Sequence, residues 1–326
     1  MPDPARPGPL PAPPALLAGL PAARLLADPG TAPAVLTELE RITGRPVLTP
    51  PDPAPPGGPY VYVGSALPGP LRTPELLWFH SVNAGADGLL GSGAWPGAAL
   101  LTRTVGRMDE RIAQYVLAWM LAEVQSVAGF AARPEWAEWR RRPSELVAGS
   151  TAVVHGTGRI GSSVAGLLRA VGVRTVGVAR APRAEAPAGF DRVVAADRDR
   201  EALAAARWVV GALPLTASTD GFFGADRFAA MNGATFVNVG RGATVDHAAL
   251  DRALRAGTVG RAVLDVLPVE PPPADDPCWR LPRTTITSHS SGITADEDVV
   301  ADFAACWTEL ARGVLPALTV DVRRGY

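Results

Sequence analysis

Arg241, Glu270 and His289 are the residues whose side chains could carry out acid–base chemistry on an anionic substrate. A guanidinium forms two parallel hydrogen bonds with a carboxylate. An imidazole, whose ordinary pKa is about 6.5, exchanges a proton near neutral pH, and a neighbouring carboxylate favours its protonated form. Taken alone, each residue could equally be a surface arginine, a loop acid or a packed histidine. The elements around them, and any cofactor site beside them, decide between these interpretations.

A glycine-rich run follows a short apolar stretch, residues 151–155, and opens an apolar helical pattern. The run is Gly156-Thr157-Gly158-Arg159-Ile160-Gly161. Gly156 permits a tight turn, Gly158 lets the backbone approach a pyrophosphate, and Gly161 allows the helix to pack closely on the strand. The N–H groups and the positive end of the helix dipole would hold the phosphates. We therefore predict that these six residues bind a dinucleotide, in preference to a purely structural glycine turn.

The residue that follows the second strand distinguishes NAD from NADP. An NAD site places Asp or Glu there, about 20 residues after the glycine run, to bind the ribose 2′-hydroxyl. Here the strand ends in Ala179-Arg180, and Arg183 is close behind. Because the planar guanidinium of Arg180 can pair with a 2′-phosphate, we predict NADP (NADPH) in preference to NAD. The alternative is an ordinary surface arginine.

Further ordered motifs lie between the glycine run and the C-terminus. They are Leu213-Pro214-Leu215-Thr216, Asn238-Val239-Gly240-Arg241-Gly242, Leu264-Asp265-Val266-Leu267-Pro268-Val269-Glu270-Pro271 and Thr287-Ser288-His289-Ser290-Ser291-Gly292. Together with the glycine run, they closely resemble the D-isomer-specific 2-hydroxyacid dehydrogenases, particularly the glyoxylate/hydroxypyruvate reductase branch. The resemblance extends from about Leu76 to the C-terminus. Gln114 and Ser288 depart from the family pattern, which commonly has glutamate and proline at these places.

The resemblance implies an oxidoreductase that reduces a small 2-keto acid, such as glyoxylate or hydroxypyruvate, to the D-2-hydroxy acid. Arg241 would anchor the carboxylate and carbonyl, His289 would act as the general acid and base, and Glu270 would support His289. Backbone N–H groups at Ala84 and Gly85 would hold the substrate carboxylate. The further cofactor contacts that the resemblance implies are Leu213, Pro214, Val239, Gly240, Arg241, Asp265, His289 and Ser291.

Two other functions stay open. The first is a dinucleotide-sensing binding protein without turnover, although the intact set of Arg241, Glu270 and His289 argues against it. The second is a dehydrogenase of the same family that acts on a different acid, for example a 3-phosphoglycerate-type substrate or phosphite, since the same site can present an anion to nicotinamide.

Short apolar segments alternate with helical patterns along the chain, which is typical of α/β folds with parallel sheets covered on both faces. The clearest strand predictions are residues 60–64, 76–80, 151–155, 174–178, 208–212, 235–239, 261–265 and 284–287. We predict two Rossmann-like domains with a cleft between them. The flavodoxin-like substrate domain would take residues 1–99 and 296–326, and the doubly wound NAD(P)-binding domain would take residues 100–295. A long helix over residues 109–130 and the tryptophan-containing connector after it, residues 133–143, resemble the family's dimerisation element, so we expect a homodimer.

Composition narrows the range of partners. The 31 basic residues are all Arg and are balanced by 32 acidic residues, so the net charge of −1 creates no general field for nucleic acid or an anionic membrane. Two distant cysteines and four scattered histidines give no metal-ligand spacing. We predict that His80 and His155 are packed and that His247 is exposed. The sequence shows no signal pattern and no membrane-spanning stretch, so we expect a cytoplasmic protein.

Overall fold

The computed structural model of the chain describes residues 10–49, 57–131, 141–142, 144–181 and 185–323. Its internal contacts divide the chain into two compact units. The first unit comprises Met1–Arg107 and Thr294–Tyr326, and the second comprises Met108–Ile293. Each unit has its own parallel sheet with a hydrophobic cluster on each face.

The first unit is built on a five-stranded parallel sheet. Its strands are β1 (Arg24–Ala27), β2 (Val47–Leu48), β3 (Tyr60–Gly64), β4 (Leu76–Ser81) and β5 (Leu100–Arg103). Its helices in the same part of the chain are α1 (Pro14–Gly19), α2 (Pro33–Thr43) and α3 (Asp87–Gly91). The strand order β2-β1-β3-β4-β5 is that of the flavodoxin-like fold, which confirms the predicted fold class.

The central strand β3 explains why this sheet is covered on both faces. All of its residues are buried. Because side chains alternate along a strand, Tyr60 and Tyr62 join one hydrophobic cluster while Val61 and Val63 join the other. Burial of each such side chain stabilises the fold by roughly 1.5–3 kcal/mol relative to leaving it in water.

The second unit is built on a seven-stranded parallel sheet. Its strands are β6 (Thr151–His155), β7 (Arg174–Ala179), β8 (Arg192–Ala195), β9 (Trp208–Gly211), β10 (Ala234–Asn238), β11 (Val259–Leu264) and β12 (Thr284–Ile286). Its helices are α4 (Met108–Val124), α5 (Val127–Ala131), α6 (Arg159–Ala170), α7 (Arg200–Ala204), α8 (Ala225–Ala230) and α9 (His247–Ala256). The order β12-β11-β10-β9-β6-β7-β8 is doubly wound, with the chain reversing direction across the sheet at β6.

Packing of α4 against α6 covers one face of this sheet. Ile112, Val116 and Met120 of α4 lie in one cluster with Val164 and Leu168 of α6. After the second unit the chain returns to the first with α10 (Asp296–Ala311), whose apolar face packs in the same cluster as the valines of β3.

The structure corrects several details of the sequence prediction. Residues 100–103, assigned above to the NAD(P)-binding domain, form β5 and pair with β4, so the boundary follows Arg107. The predicted helix over residues 109–130 is two helices, α4 and α5, separated at Ser126, whose φ is 54°. Strands β1, β2, β5 and β8 were not predicted: each has only two to four residues, and β2 and β8 are partly exposed edge strands without a continuous apolar pattern. Most of the tryptophan-containing connector lies outside the described residues.

No helix within the described ranges is both long enough and apolar enough to cross a membrane.

Candidate active site

The glycine loop, residues 156–161, joins β6 to α6, and two of its glycines are required by close backbone contacts. Gly156 has a φ of 103°, and a Cβ there would lie 2.6 Å from the carbonyl oxygen of Ala212. A Cβ on Gly161 would lie 1.8 Å from the carbonyl oxygen of Gly156. Any larger residue would therefore separate the helix from the loop.

Gly158 differs from the other two because a Cβ there would meet no protein atom within 4 Å. It is the N-cap of α6 and has no side chain to cover the first N–H groups of this 12-residue helix. A helix N-terminus with an open approach is suited to a phosphate group. The loop therefore fits the pyrophosphate of a dinucleotide.

The side chain of Arg159 is tied to α4. Its Nε donates a hydrogen bond of 3.0 Å to Oδ1 of Asp109, and the hydroxyl of Ser163 donates to Oδ2 of the same carboxylate. Asp109 is in the first turn of α4. The glycine loop is therefore held against α4 by polar contacts as well as by packing.

Arg180 is exposed and directly follows β7, as the sequence predicts for a residue at the 2′-position of the ribose. The two described residues directly after β7, Arg180 and Ala181, include no acid. Arg183, which the sequence also singles out, lies outside the described residues.

Arg241 lies in the loop after β10, and the glycines on either side of it pack against the two neighbouring loops. A Cβ on Gly240 would lie 2.6 Å from the carbonyl oxygen of Leu213, and one on Gly242 would lie 1.9 Å from the carbonyl carbon of Leu267. The buried amide of Asn238 accepts from the N–H of Gly240 and donates to the carbonyl of Arg241, both at 3.1 Å. These contacts fix the half-buried Arg241 between the loops that follow β9 and β11.

His289 and Glu270 form a close pair. Nδ1 of His289 lies 2.7 Å from Oε2 of Glu270, and Oε1 of Glu270 accepts the N–H of Leu267 at 2.7 Å. Because a carboxylate only accepts, Nδ1 carries the proton of this hydrogen bond and Nε2 is the ring nitrogen directed to other partners. The side chains are 55% and 35% exposed, so the pair is accessible to a small molecule.

Asp265 shapes the histidine loop, residues 287–292. Its buried carboxylate accepts the N–H of Ser290 (2.8 Å) and both the N–H and the hydroxyl of Ser291 (3.1 and 2.5 Å to Oδ2). It also accepts the hydroxyl of Thr287 at 2.6 Å, and its carbonyl oxygen accepts the N–H of His289 at 2.9 Å. The predicted cofactor residues Asp265 and Ser291 thus bond to each other, and their contact with a cofactor stays a prediction.

Contacts between neighbouring loops connect the segment of Arg241 to the pair formed by Glu270 and His289. Gly242, next to Arg241, packs against Leu267, whose N–H bonds to the Glu270 that holds His289. The predicted cofactor residues also follow the carboxyl ends of strands in this sheet, where doubly wound folds bind ligands. They are Gly156, Thr157, Gly158, Arg159, Ile160, Gly161, Leu213, Pro214, Val239, Gly240 and Asp265.

The predicted substrate residues Ala84 and Gly85 belong to the first unit, where they follow the carboxyl end of β4. The carbonyl oxygen of Ala84 accepts a hydrogen bond of 3.2 Å from Nη1 of Arg103, at the end of β5. Sequence reasoning did not single out Arg103, because an arginine at the end of a strand gives no sign of the carbonyl it holds.

The structure separates the other histidines from these contacts between loops. His80 is packed as predicted, with its ring nitrogens 2.7 and 3.1 Å from the hydroxyls of Thr102 and Thr104, and burial lowers its pKa to about 3. His155 is also packed, and its Nε2 lies 3.1 Å from Asp199. His247, predicted to be exposed, is half-buried with its Nε2 enclosed, so that prediction was wrong.

Sequence reasoning also missed the polar contact that α4 makes with the histidine loop. The hydroxyl of Tyr115 lies 2.8 Å from the hydroxyl of Thr287. Burial raises the pKa of Tyr115 to about 12, against the opposing effect of this hydrogen bond. Among the described residues, no group of three or more His, Cys, Asp or Glu side chains could hold a metal ion.

Comparison with known proteins shows the family of the chain. The family model for the NAD binding domain of D-isomer specific 2-hydroxyacid dehydrogenases matches residues 117–291. An uncharacterized protein encoded in the mprR 3′ region of Streptomyces coelicolor is 55% identical over 273 residues, which cover 83% of this chain and 97% of that protein. Glyoxylate/hydroxypyruvate reductase A of Serratia proteamaculans is 30% identical over 259 residues, or 77% of this chain and 82% of that protein.

A solved structure is similar over nearly the whole chain. It is an NADPH-dependent glyoxylate/hydroxypyruvate reductase from Sinorhizobium meliloti in complex with NADP and sulfate, with a TM-score of 0.78 and 25% sequence identity. The similarity covers 93% of this chain and 100% of that one. The extent of these matches shows that the chain is an oxidoreductase that uses a nicotinamide dinucleotide and belongs to the D-isomer specific 2-hydroxyacid dehydrogenase family.

Proposed function

We propose that this protein reduces a small 2-keto acid, such as glyoxylate or hydroxypyruvate, to the corresponding D-2-hydroxy acid with NADPH. The observation that carries the proposal is the 2.7 Å contact between Nδ1 of His289 and Oε2 of Glu270. It leaves Nε2 to donate a proton to the carbonyl oxygen of a substrate, while the carboxylate of Glu270 orients the ring.

The remaining residues would position the acid. A bound nicotinamide supplies the hydride to the carbonyl carbon. The guanidinium of Arg241 would bind the substrate carboxylate and carbonyl together, because its planar donors match two oxygens at once. In this proposal the N–H groups of Ala84 and Gly85 also bind the substrate carboxylate, since small residues leave room for an anion.

The preference for NADPH is assigned to Arg180, because it is an exposed cation directly after β7, at the place where an NAD site has an acid. Substitution Arg180→Ala should raise the KM for NADPH roughly 10-fold, as expected for loss of a charge-assisted hydrogen bond, and should leave the KM for NADH nearly unchanged. Arg192→Ala is the matched control, since Arg192 is an exposed arginine at the opposite end of the neighbouring strand β8. An unchanged KM for NADPH in Arg180→Ala would remove the assignment.

The activity itself is tested by following the absorbance of NADPH with a panel of acids. The absorbance falls when a keto acid is reduced and rises when an acid is oxidised. The panel contains glyoxylate, hydroxypyruvate and pyruvate, and, with NADP in the oxidising direction, D-3-phosphoglycerate and phosphite. Turnover should be greatest with a small 2-keto acid and should be lost in His289→Gln. Tight binding of NADPH without turnover on any acid would instead favour a dinucleotide-sensing binding protein.

The homodimer and the cytoplasmic location remain predictions from the sequence. Analytical ultracentrifugation of the full chain tests the first, since a monomer at micromolar concentration would contradict it.

A further inference from the structure

The shape of the histidine loop depends on hydrogen bonds more than on packing. Ser288, His289 and Ser290 are all exposed. His289 has a φ of 52°, a left-handed conformation that costs a residue with a side chain roughly 1–3 kcal/mol. A loop with this strain and little burial needs fixed polar contacts to keep one geometry.

The direction of the hydrogen bonds beneath the loop follows from the valence of each group. The carboxylate of Asp265 only accepts hydrogen bonds, so the hydroxyl of Thr287 donates its single proton to Oδ1 of Asp265. The oxygen of Thr287 must then accept the proton of the Tyr115 hydroxyl, 2.8 Å away. A series of hydrogen bonds therefore runs from Tyr115 through Thr287 to Asp265, and hydrogen bonds in such a series strengthen one another.

Helix α4 holds the histidine loop at a second point as well. A Cβ on Gly292 would lie 2.7 Å from Cγ of Met108 and 2.8 Å from Cγ1 of Ile112, so the end of the loop lies directly on α4. Tyr115 is one turn further along the same helix and contacts the start of the loop at Thr287. His289 is thus between a polar anchor and a steric anchor on one helix.

We propose that Tyr115 and Thr287 are positioning residues, which act through Asp265 to hold His289 in its catalytic geometry against Glu270. The inference rests on the proposed function, in which His289 transfers the proton. Neither residue needs to touch substrate or cofactor. Their loss should therefore lower kcat by a larger factor than it raises the KM for NADPH, because the glycine loop, which would bind the pyrophosphate, is unchanged.

Three substitutions test this series of hydrogen bonds. Thr287→Val removes the bridging hydroxyl and should lower kcat about 10- to 100-fold, the size expected when a catalytic group is misplaced by about 1 Å. Thr287→Ser restores the hydroxyl and should recover most of the activity. Tyr115→Phe keeps the ring and should lower kcat by a smaller factor. In the double variant Tyr115→Phe/Thr287→Val, kcat should equal that of Thr287→Val, because Tyr115 acts only through Thr287.

A matched control separates this role from general anchoring of α4. Thr235 donates a hydrogen bond of 2.7 Å to Glu123, near the other end of α4, and lies at the start of β10. Thr235→Val removes an equivalent contact and should leave kcat and both KM values at the wild-type level. If Thr287→Val and Tyr115→Phe behave like Thr235→Val, or if their effects multiply in the double variant, the proposal is wrong.

A spectroscopic measurement separates failure of this inference from failure of the proposed function. The chain has four histidines, so the ring signals of ¹⁵N-histidine-labelled protein can be assigned with His289→Gln. In Thr287→Val the signal of His289 should shift or broaden, while those of His80, His155 and His247 stay in place. An unmoved His289 signal would overturn the positioning role. Absence of turnover in the wild-type protein would overturn the proposed function and leave this measurement valid.

Discussion

The glycine loop and the histidine loop lie at the same edge of the seven-stranded sheet, but their shapes have different origins. In the glycine loop, Gly156 and Gly161 lack side chains where the backbone leaves no room for one: Gly161 meets Gly156, five positions away, and Gly156 meets the backbone of Ala212. In the histidine loop, the contacts come from Asp265, Glu270 and Tyr115, which are 19 to 172 positions away from their partners. The steric requirement shows in the sequence as the glycines themselves, whereas the hydrogen bonds of the histidine loop depend on which distant residues the fold brings together.

The largest effect is expected where the glycine loop is most crowded. Gly161→Ala places a Cβ 1.8 Å from a backbone oxygen and should destabilise the second unit by roughly 3 kcal/mol or more, since backbone cannot move aside as a side chain can. Thermal unfolding measures the loss. Gly166→Ala, in the same helix with open space around its Cβ, is the control and should be neutral or slightly stabilising. Equal melting temperatures for the two variants would contradict the steric account.

In the histidine loop, the equivalent test removes the proposed proton donor and leaves the fold intact. His289→Gln keeps a hydrogen-bonding group beside Glu270 but cannot transfer a proton, so kcat should fall by about 10² to 10⁴. The melting temperature should stay within a few degrees of the wild type. His247→Gln serves as the control, because His247 is outside the network of contacts around Arg241 and Glu270. A His289→Gln variant with normal kcat would refute the assignment of the proton donor.

A smaller effect is expected at Gly158, where the glycine loop is open. Gly158→Ala should fold normally, because its Cβ meets no protein atom, but it should weaken NADPH binding about 10-fold, or about 1.4 kcal/mol. Fluorescence titration with NADPH measures the change, again beside Gly166→Ala. Unaltered affinity would mean that the pyrophosphate does not approach this position.

The smallest expected effect is a loss of folding stability at low pH. His155 directly precedes the glycine loop, and burial lowers its pKa although Asp199 acts in the opposite direction. Its Nδ1 has no hydrogen-bond partner among the described residues, so a second proton would be buried without an acceptor. The folded protein therefore binds this proton less readily than the unfolded chain, and stability should fall by up to about 1.4 kcal/mol per pH unit below about pH 6.5.

The control for this pH effect is His155→Gln, whose amide can still donate to Asp199 but does not titrate. Its melting temperature should fall less than that of the wild type between pH 7 and pH 5. Parallel pH dependence in the two proteins would show that His155 does not contribute.

The same contrast explains how much of the molecule was predictable. Strands buried on both faces, such as β3 and β6, carry their own apolar signature, and the glycine loop is complete within six residues. The sequence did not predict that Asp265 accepts the hydrogen bonds of the histidine loop. It also did not predict the contact between Tyr115 and Thr287, since nothing near Tyr115 in the sequence indicates which residue the fold brings to it. Strands β1, β2, β5 and β8 were missed because two to four residues are too few to show a strand pattern, and β2 and β8 are also only partly buried.

The lengths of the outer strands have a consequence for the behaviour of the chain in concentrated solution. The strands at the edges of the two sheets, β2, β5, β8 and β12, contain only 2, 4, 4 and 3 residues. One of them, β5, is also covered by the C-terminal segment, because Leu101 accepts the N–H of Val320 at 2.9 Å. Short or covered edges offer few unpaired backbone groups to a neighbouring molecule, and this architecture therefore protects the protein against edge-to-edge aggregation.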